Sequence, residues 1–518
     1  MSNAQIGREA LDGGSAYLSR GDVKAAEDAG QAQRDRVPWL VAAAVFIAYL
    51  MISLWRYLRF DPTSWDLGIF TEYVKQYGLF RAPVVDARLP GIDLLGDHFH
   101  PIVALIGPFF DLFPTPVTLL VGQALLTAIS VIPVSRVARE LLGVAPGRAI
   151  GIAYGFSWGL QELVNNDFHE VAFAVPLLAF SLSALVSKRI RAAVLWALPL
   201  VFVKEDQGFT IAVIGLIIAI SYRHKLAGLG LAFWGVAWSL LAIMVIIPHF
   251  NPHHVYPYWS TGGHWDSPAA FLHQLFTGSQ TKLTTLALML LPTAFLALRS
   301  PLVLAVVPGL ALRFIAVDSS YWGTAWHYNA TAMPIVFIAA VDGLARIRAY
   351  RARYGIDPDD PAPAASGLRA GLAESGPGGL GRWLERHGAA MMVGICAALA
   401  FQFPLSALWD PQTYQPGPHA TAARAAIALV PAGATVEANI DLLAPLGAKS
   451  DAFWLGNSSL WLGGAGNPAT QYVVYDTSCA DMPAAQGSLL AWVEKLNNGA
   501  AYRLIYSSNS ISVFRRVP

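Results

Sequence analysis

Eleven apolar windows, bounded by proline, glycine or charge and several of them near 20 residues, limit most sharply what this chain can fold into. They run over about 38–57, 115–137, 148–164, 171–187, 191–204, 207–221, 226–248, 283–298, 301–317, 329–345 and 389–409. A hydrocarbon core of about 30 Å asks for about 20 apolar helical residues, and inside it every backbone polar group must be satisfied within the chain. The windows predict an all-α polytopic membrane bundle of about eleven transmembrane helices. Composition agrees, since 55% of the 518 residues are hydrophobic and only 13% are charged. The run 101–113, PIVALIGPFFDLF, is too short to span and carries an internal Pro and Asp, so it reads as an interfacial or re-entrant helix.

Lys and Arg set the orientation, because short loops rich in them stay cytoplasmic. With the N-terminus inside, cytoplasmic loops hold Arg136, Arg139 and Arg148, then Lys188, Arg189 and Arg191, then Arg223 and Lys225, then Arg299, then Arg346, Arg348, Arg351 and Arg353. The outer loops 165–170 and 318–328 hold none, and the one at 204–206 holds only Lys204. The expected organisation is a polar cytoplasmic tail at 1–37, without signal-peptide features, and a transmembrane domain at 38–345 whose first outer loop, 58–114, carries interfacial helices. A cytoplasmic linker at 346–388, rich in Pro, Ala and Gly over 354–381, leads to the last helix at 389–409. The strand-like runs ATVEAN, QYVVYD and AYRLIYSSNSISVFRR, with a helical GSLLAWVEKLN, predict a small α/β domain outside at 410–518.

A balance of 35 basic and 34 acidic residues, with no basic tract interleaved with aromatics, excludes a nucleic-acid footprint. Cys396 and Cys479 offer no metal-binding spacing and no evident disulfide.

Once the chain is oriented, its unusual residues gather on the outer face. In SWDLGIF, residues 64–70, Asp66 starts a helical pattern that places it on one stripe with Phe70, Tyr73 and Tyr77. It reads either as a helix N-cap or as a partly desolvated carboxylate fit to act as a base. In GDHFHP, an extended backbone puts His98 and His100 on one side and Asp97 on the other, which permits a two-histidine clasp or a plain polar loop. In NNDFHE, Asp167 pairs with Glu170 on a helix or with His169 on a strand, giving a metal-competent set or a solvated loop. In VKEDQG, Lys204, Glu205 and Asp206 pair among themselves, or Lys204 meets a phosphate. The aromatic and histidine-rich stretches 249–273 and 321–334, the latter with His327 and Tyr328, suit either sugar stacking or an interfacial belt. The sequon Asn329-Ala330-Thr331 sits at a span edge and reads as a chance match.

In their order, WDLGIF, GDHFHP, NDFHE, KEDQG and HYNATAMP resemble a family of uncharacterised bacterial polytopic membrane proteins, which in turn looks related to the GT-C glycosyltransferases. The resemblance covers roughly 38–345 and, more weakly, the C-terminal domain. It implies a bacterial cytoplasmic membrane protein that moves a sugar from a polyprenyl-phosphate carrier to an extracytoplasmic glycan, lipid or protein, among membrane lipids. It assigns Asp66 as catalytic base and Asp167, with His169 and Glu170, to acceptor or divalent metal binding. Beside these matches, Asp97, His98 and His100 are expected at the same acceptor or metal site and Glu205, Asp206, His327 and Tyr328 in support, while Lys204 is the candidate for the lipid phosphate, which no single GT-C motif fixes. Leu67 stands where the protein mannosyltransferases of that superfamily carry a second acid, so Mg2+ or Mn2+ at Asp66 and Asp167 is an open expectation. Two other classes fit the composition: a transporter or lipid flippase, and a non-catalytic assembly protein.

Overall fold

In a computed structural model, residues 36–62, 65–262, 267–353, 377–458, 466–479 and 488–518 are described. Four helices among them are long and apolar enough to cross a membrane: Val37–Arg59, Val117–Leu142, Lys225–Phe250 and His327–Arg353. The last is the most enclosed, with 83% of its most apolar stretch buried against 28% for Lys225–Phe250, so the body is built around His327–Arg353 and Lys225–Phe250 lies at its rim.

Other windows form helices that are shorter or broken, and proline is the recurrent cause because it removes a donor and blocks the preceding turn. Window 191–204 becomes an α-helix at Ile190–Ala197 that tightens at Pro199 into a 3-10 turn, Leu198–Phe202. Window 301–317 is a 3-10 turn, Pro301–Val306, followed by an α-helix, Val307–Ile315. Window 148–164 is divided into Val144–Gly155 and Trp158–Asn165. Window 389–409 ends as a helix at Ala400, with a 3-10 turn Pro404–Trp409 beyond. Run 101–113 forms a 3-10 turn, Pro101–Ile106, and a helix, Gly107–Leu112, from which Leu105, Phe109 and Leu112 stand exposed. The N-terminal tail and residues 354–376 lie outside the described residues.

Helices Gln207–Ile220 and Lys225–Leu241 approach at backbone distance. A methyl group on Gly208 would sit 2.2 Å from the Gly235 carbonyl, so only glycine permits the crossing. The same crossing lets Ser239 Oγ donate to the Glu205 carbonyl at 2.5 Å, which fixes the KED turn against the bundle.

Residues 410–518 build the expected mixed unit around a five-stranded sheet of order β2-β1-β3-β5-β4. Its strands are β1 Thr435–Ala438, β2 Asp451–Trp454, β3 Tyr472–Asp476, β4 Tyr502–Ser508 and β5 Ile511–Arg516. β1 pairs in parallel with β2 and β3, and β5 pairs antiparallel with β3 and β4. The long run at 501–516 is a hairpin turned at Asn509 and Ser510, both in the left-handed region, and GSLLAWVEKLN supplies the helix Leu489–Leu496. The helix Ile440–Lys449 packs on Asp66–Gly78, with Leu443 directly over Gly68, and Lys75 Nζ donates to the carbonyls of Gly447 and Ser450 at 3.1 and 2.8 Å. The sheet unit therefore rests on the helix that begins with Asp66.

Candidate functional site

The loop NNDFHE is neither a helix nor a simple strand. Asp167 has φ +59°, a left-handed conformation that aspartate tolerates better than most residues, and it turns the chain. His169 is extended and Glu170 opens a 3-10 turn. Gln123, from the Val117–Leu142 helix, clamps this shape: its amide donates to the carbonyls of Leu163 and Asp167, and its carbonyl accepts the His169 N–H at 2.9 Å. The turn separates the expected set, because His169 and Glu170 line a large cavity while Asp167 is buried and does not.

Asp66 is the first residue of its helix rather than the cap, since Trp65 holds the cap position and makes no side-chain cap bond. Its Oδ2 lies 3.4 Å from His169 Nε2, joining the first outer loop to the NNDFHE loop. The His169 ring stacks on His327 with centroids 3.5 Å apart, and Nδ1 of each is buried without a hydrogen-bond partner. Phe70, one turn after Asp66, packs against the rings of His100, Phe168 and His169. Tyr73 OH bonds Tyr77 OH at 3.0 Å and His100 Nδ1 at 3.1 Å, so the stripe of Asp66, Phe70, Tyr73 and Tyr77 is realised in space.

His98 and His100 share a side as expected, with ring centroids 6.2 Å apart, while Phe99 turns back to pack with Ala242 and Ile247. Their Nδ1 atoms are tied to different partners: His98 to Glu205 at 2.7 Å, His100 to Tyr73. Asp97 joins the cavity rather than opposing it; it accepts from Arg88 Nε at 2.9 Å and from Tyr258 OH at 3.0 Å. Burial raises the cost of the Asp97 charge, but His98 and Arg88 hold the carboxyl below its ordinary value. Burial drives His100 down to about 4, which keeps it neutral near pH 7.

Lys204 Nζ pairs with Glu170 Oε1 at 2.9 Å. Burial works against the Lys204 charge, yet Glu170, Glu205 and Asp206 together raise its pKa well above the ordinary range. Glu205 accepts from the Phe99 N–H at 3.1 Å and Tyr256 OH at 3.2 Å besides His98; against the penalty of burial, His98 and Lys204 hold it down to about 2. Asp206 is pushed up by burial despite Lys204.

These groups line one cavity of about 1010 Å3. Asp66, Asp97, His98, His100, His169, Glu170, Lys204, Glu205, Asp206, His327 and Tyr328 all border it, so of the expected site residues only Asp167 stands apart. The same lining includes the apolar side chains of Leu240, Ile243, Met244, Val306, Leu310 and Ile315. Among the described residues, Asp66, Asp167, His169 and Glu170 do not form a trio of carboxylate or imidazole ligand atoms within 4.8 Å; such a trio occurs only in the C-terminal unit.

A family of predicted membrane proteins, DUF2079, matches residues 56–356, more than half of the chain and a range that holds every residue of the cavity cluster. The chain belongs to the DUF2079 family. In fold it is similar to the crystal structure of ArnT from Cupriavidus metallidurans bound to undecaprenyl phosphate, with a TM-score of 0.50 over 93% of this chain and 98% of that one at 14% identity. At that identity the likeness is one of fold. No curated protein matches it.

The cavity of this DUF2079 protein also contains residues that the motif reading passes over. Arg313 lies within the apolar window 301–317 and borders the cavity. Its guanidinium donates to the carbonyls of Tyr321 and Gly323 at 2.8 and 3.0 Å and to Asn329 Oδ1 at 2.9 Å, and it lies over the Tyr328 ring. A lone arginine inside an apolar span is itself a signal of function, though a tally of loop charges misses it. Asn329 is fully buried by these contacts, so the sequon is a chance match. Arg88, Tyr256 and Tyr258 hold Asp97 and Glu205, and Arg88 lies over Trp65, whose ring meets Trp454 of the sheet unit edge-on at 4.4 Å. Residues 263–266 of the stretch 249–273 lie outside the described residues.

Proposed function

We propose that the cavity is the transfer site of a GT-C-type membrane glycosyltransferase, which moves a sugar from a polyprenyl-phosphate donor to an extracytoplasmic glycan, lipid or protein with inversion at the anomeric carbon. One observation carries this reading: the Asp66–His169 contact, two cations and a set of apolar side chains share a single cavity of about 1010 Å3. A fold shared with a protein crystallised with undecaprenyl phosphate supports a lipid-phosphate partner.

In this scheme the polyprenyl chain lies along Leu240, Met244, Val306 and Leu310, and its phosphate faces Arg313 and Lys204. Asp66 takes the proton of the acceptor hydroxyl, and His169 holds the carboxylate in place. The hydroxyl oxygen bonds to the anomeric carbon as the bond from that carbon to the phosphate oxygen breaks, and the departing charge is met by the two cations. Tyr256, Tyr258 and His98 give the sugar a stacking wall. The proposed placement keeps residues 1–37 and 346–388 in the cytoplasm, and it puts the cavity and residues 410–518 on the outer side of the bacterial cytoplasmic membrane. If Mg2+ or Mn2+ takes part, Asp66 and His169 offer it two ligand atoms 3.4 Å apart, and Asp167 would have to leave its buried position to join. The ion would stabilise the departing phosphate; Arg313 and Lys204 are the groups of this chain that meet that charge.

The test compares release of polyprenyl phosphate from sugar-loaded carriers by wild type and Asp66→Asn in detergent, with and without EDTA. Loss of a general base lowers turnover about 10²- to 10⁴-fold while carrier binding is retained. Equal release by the variant removes Asp66 from the chemistry. Wild type that releases nothing from any donor, yet moves labelled lipid across vesicles, overturns glycosyl transfer in favour of a flippase.

A further inference from the structure

The C-terminal unit holds a second cluster of ligating side chains, outside the cavity. His419 is the second residue of the helix Pro418–Ala428, Asp441 lies in the first turn of Ile440–Lys449, directly after β1, and Asp476 is the last residue of β3. β1 and β3 are parallel neighbours, so both aspartates emerge at one carboxyl-terminal edge of the sheet, where ligands of α/β units commonly bind. We propose that His419, Asp441 and Asp476 bind one divalent transition-metal cation of the Zn2+ class.

The donor set and its geometry carry the inference. One ligand atom from each residue lies within 4.8 Å of the other two. His419 Nε2 is 2.5 Å from Asp476 Oδ2 and 4.0 Å from Asp441 Oδ2. Metal–ligand bonds of 2.0–2.2 Å in a tetrahedral site place ligand atoms roughly 3.4 Å apart, so an ion enters with shifts of less than about 1 Å, replacing the His419–Asp476 hydrogen bond. An imidazole nitrogen with two carboxylate oxygens suits Zn2+ better than Mg2+ or Ca2+, which prefer oxygen alone.

Burial and support agree. Asp476 and Asp441 are 1% and 8% exposed, so two carboxyl groups face one imidazole in a largely buried place. Oδ1 of Asp476 accepts from the Ser478 N–H and hydroxyl at 2.8 and 2.7 Å, which orients Oδ2 toward His419. The Asp476 N–H donates to Asn439 Oδ1 at 2.8 Å, tying the ends of β1 and β3 together. Such outer bonds are what align metal-binding carboxylates. His419 is only part-buried, so an ion reaches the site from solvent and completes its shell with water. The site joins two helices and a strand, and one of those helices, Ile440–Lys449, bears on the Asp66 helix at Gly68. Metal binding is therefore expected to stiffen the surface that the Asp66 helix leans on.

The test loads full-length protein in detergent with Zn2+, measures bound metal by mass spectrometry and affinity by competition with a chelating dye, and follows thermal unfolding. Wild type is expected to hold one Zn2+ per chain and to melt higher with it. His419→Gln and Asp441→Asn should weaken binding by more than the about tenfold that losing even an outer-shell partner costs, whereas Asp66→Asn and His169→Gln should leave it unchanged. A variant that misfolds is bypassed by His419→Cys, which keeps a ligand and should give Co2+-loaded protein a thiolate charge-transfer band. Binding that is absent, or that follows the cavity variants instead, or a His419→Cys protein without that band, overturns the site.

Discussion

Lys204 and Arg313 border the same cavity and are held in opposite ways. Lys204 stands among Glu170, Glu205 and Asp206 and is paired at 2.9 Å, so its charge is already balanced by its own chain. Arg313 is gripped by the carbonyls of Tyr321 and Gly323 and the amide of Asn329, and no carboxylate among the described residues pairs with it. Dipoles position a cation without neutralising it. A phosphate placed as proposed would therefore gain more from Arg313, while Lys204 ties the NNDFHE and VKEDQG loops together through Glu170. In the proposed scheme the lysine singled out by sequence has the smaller share of the phosphate contact, and the arginine inside a span the larger.

The sharpest break in that comparison comes from unpairing Lys204. Glu170→Gln leaves a largely buried ammonium facing an amide, and breaking such a pair costs on the order of 3 kcal/mol. The variant should unfold at a clearly lower temperature in detergent, and adding Lys204→Met should recover part of the loss, because removing both partners leaves no unpaired charge. If the double variant is no more stable than the single one, Lys204 is not balanced mainly by Glu170. A smaller effect is expected at Arg313. Arg313→Gln should weaken retention of polyprenyl phosphate by about tenfold, equivalent to about 1.4 kcal/mol, with little change in melting temperature. Arg313→Lys should recover only part of it, since the forked contacts to Tyr321, Gly323 and Asn329 need a guanidinium. Equal losses from Lys204→Gln and Arg313→Gln would erase the distinction.

The same contrast shows what was legible in the chain. Residues that stand out chemically in loops, such as Asp66, His98, His169 and Lys204, could be gathered to one cavity because hydropathy assigns those loops to one side. Hydropathy is blind to a side chain such as Arg313, whose neighbours Leu312 and Phe314 carry the window. Side-chain direction was also hidden at Asp167, where a single left-handed residue defeats both helical and strand spacing. In the C-terminal unit the strands were readable from β-branched and aromatic alternation, but His419, Asp441 and Asp476 lie up to 57 residues apart and meet only through the pairing of β1 with β3. Eleven apolar windows were likewise visible, while the prolines that shorten several of them act through local geometry that a mean hydropathy does not register.

An effect that shows only in the pH profile concerns the Asp66 helix itself, where one carboxyl is kept neutral instead of paired. Glu72 is almost wholly buried beneath residues 85–87 and accepts the Ala87 N–H at 2.9 Å; burial pushes its pKa up to about 8, above its ordinary 4.5. With the folded value raised, the folded chain holds a proton that the unfolded chain releases between pH 4.5 and 8. Its stabilising contribution is complete below about 4.5 and is lost as pH climbs through 8, with a slope of at most about 1.4 kcal/mol per pH unit. Glu72→Gln keeps an acceptor for the Ala87 N–H but cannot ionise. Melting curves of the two proteins should nearly coincide at pH 5, and the wild type should fall progressively below the variant toward pH 8.5. Parallel curves across that range would mean that Glu72 is ionised in the folded protein and compensated as Lys204 is, which would make a paired charge, rather than a neutral acid, the rule on the Asp66 side of the cavity.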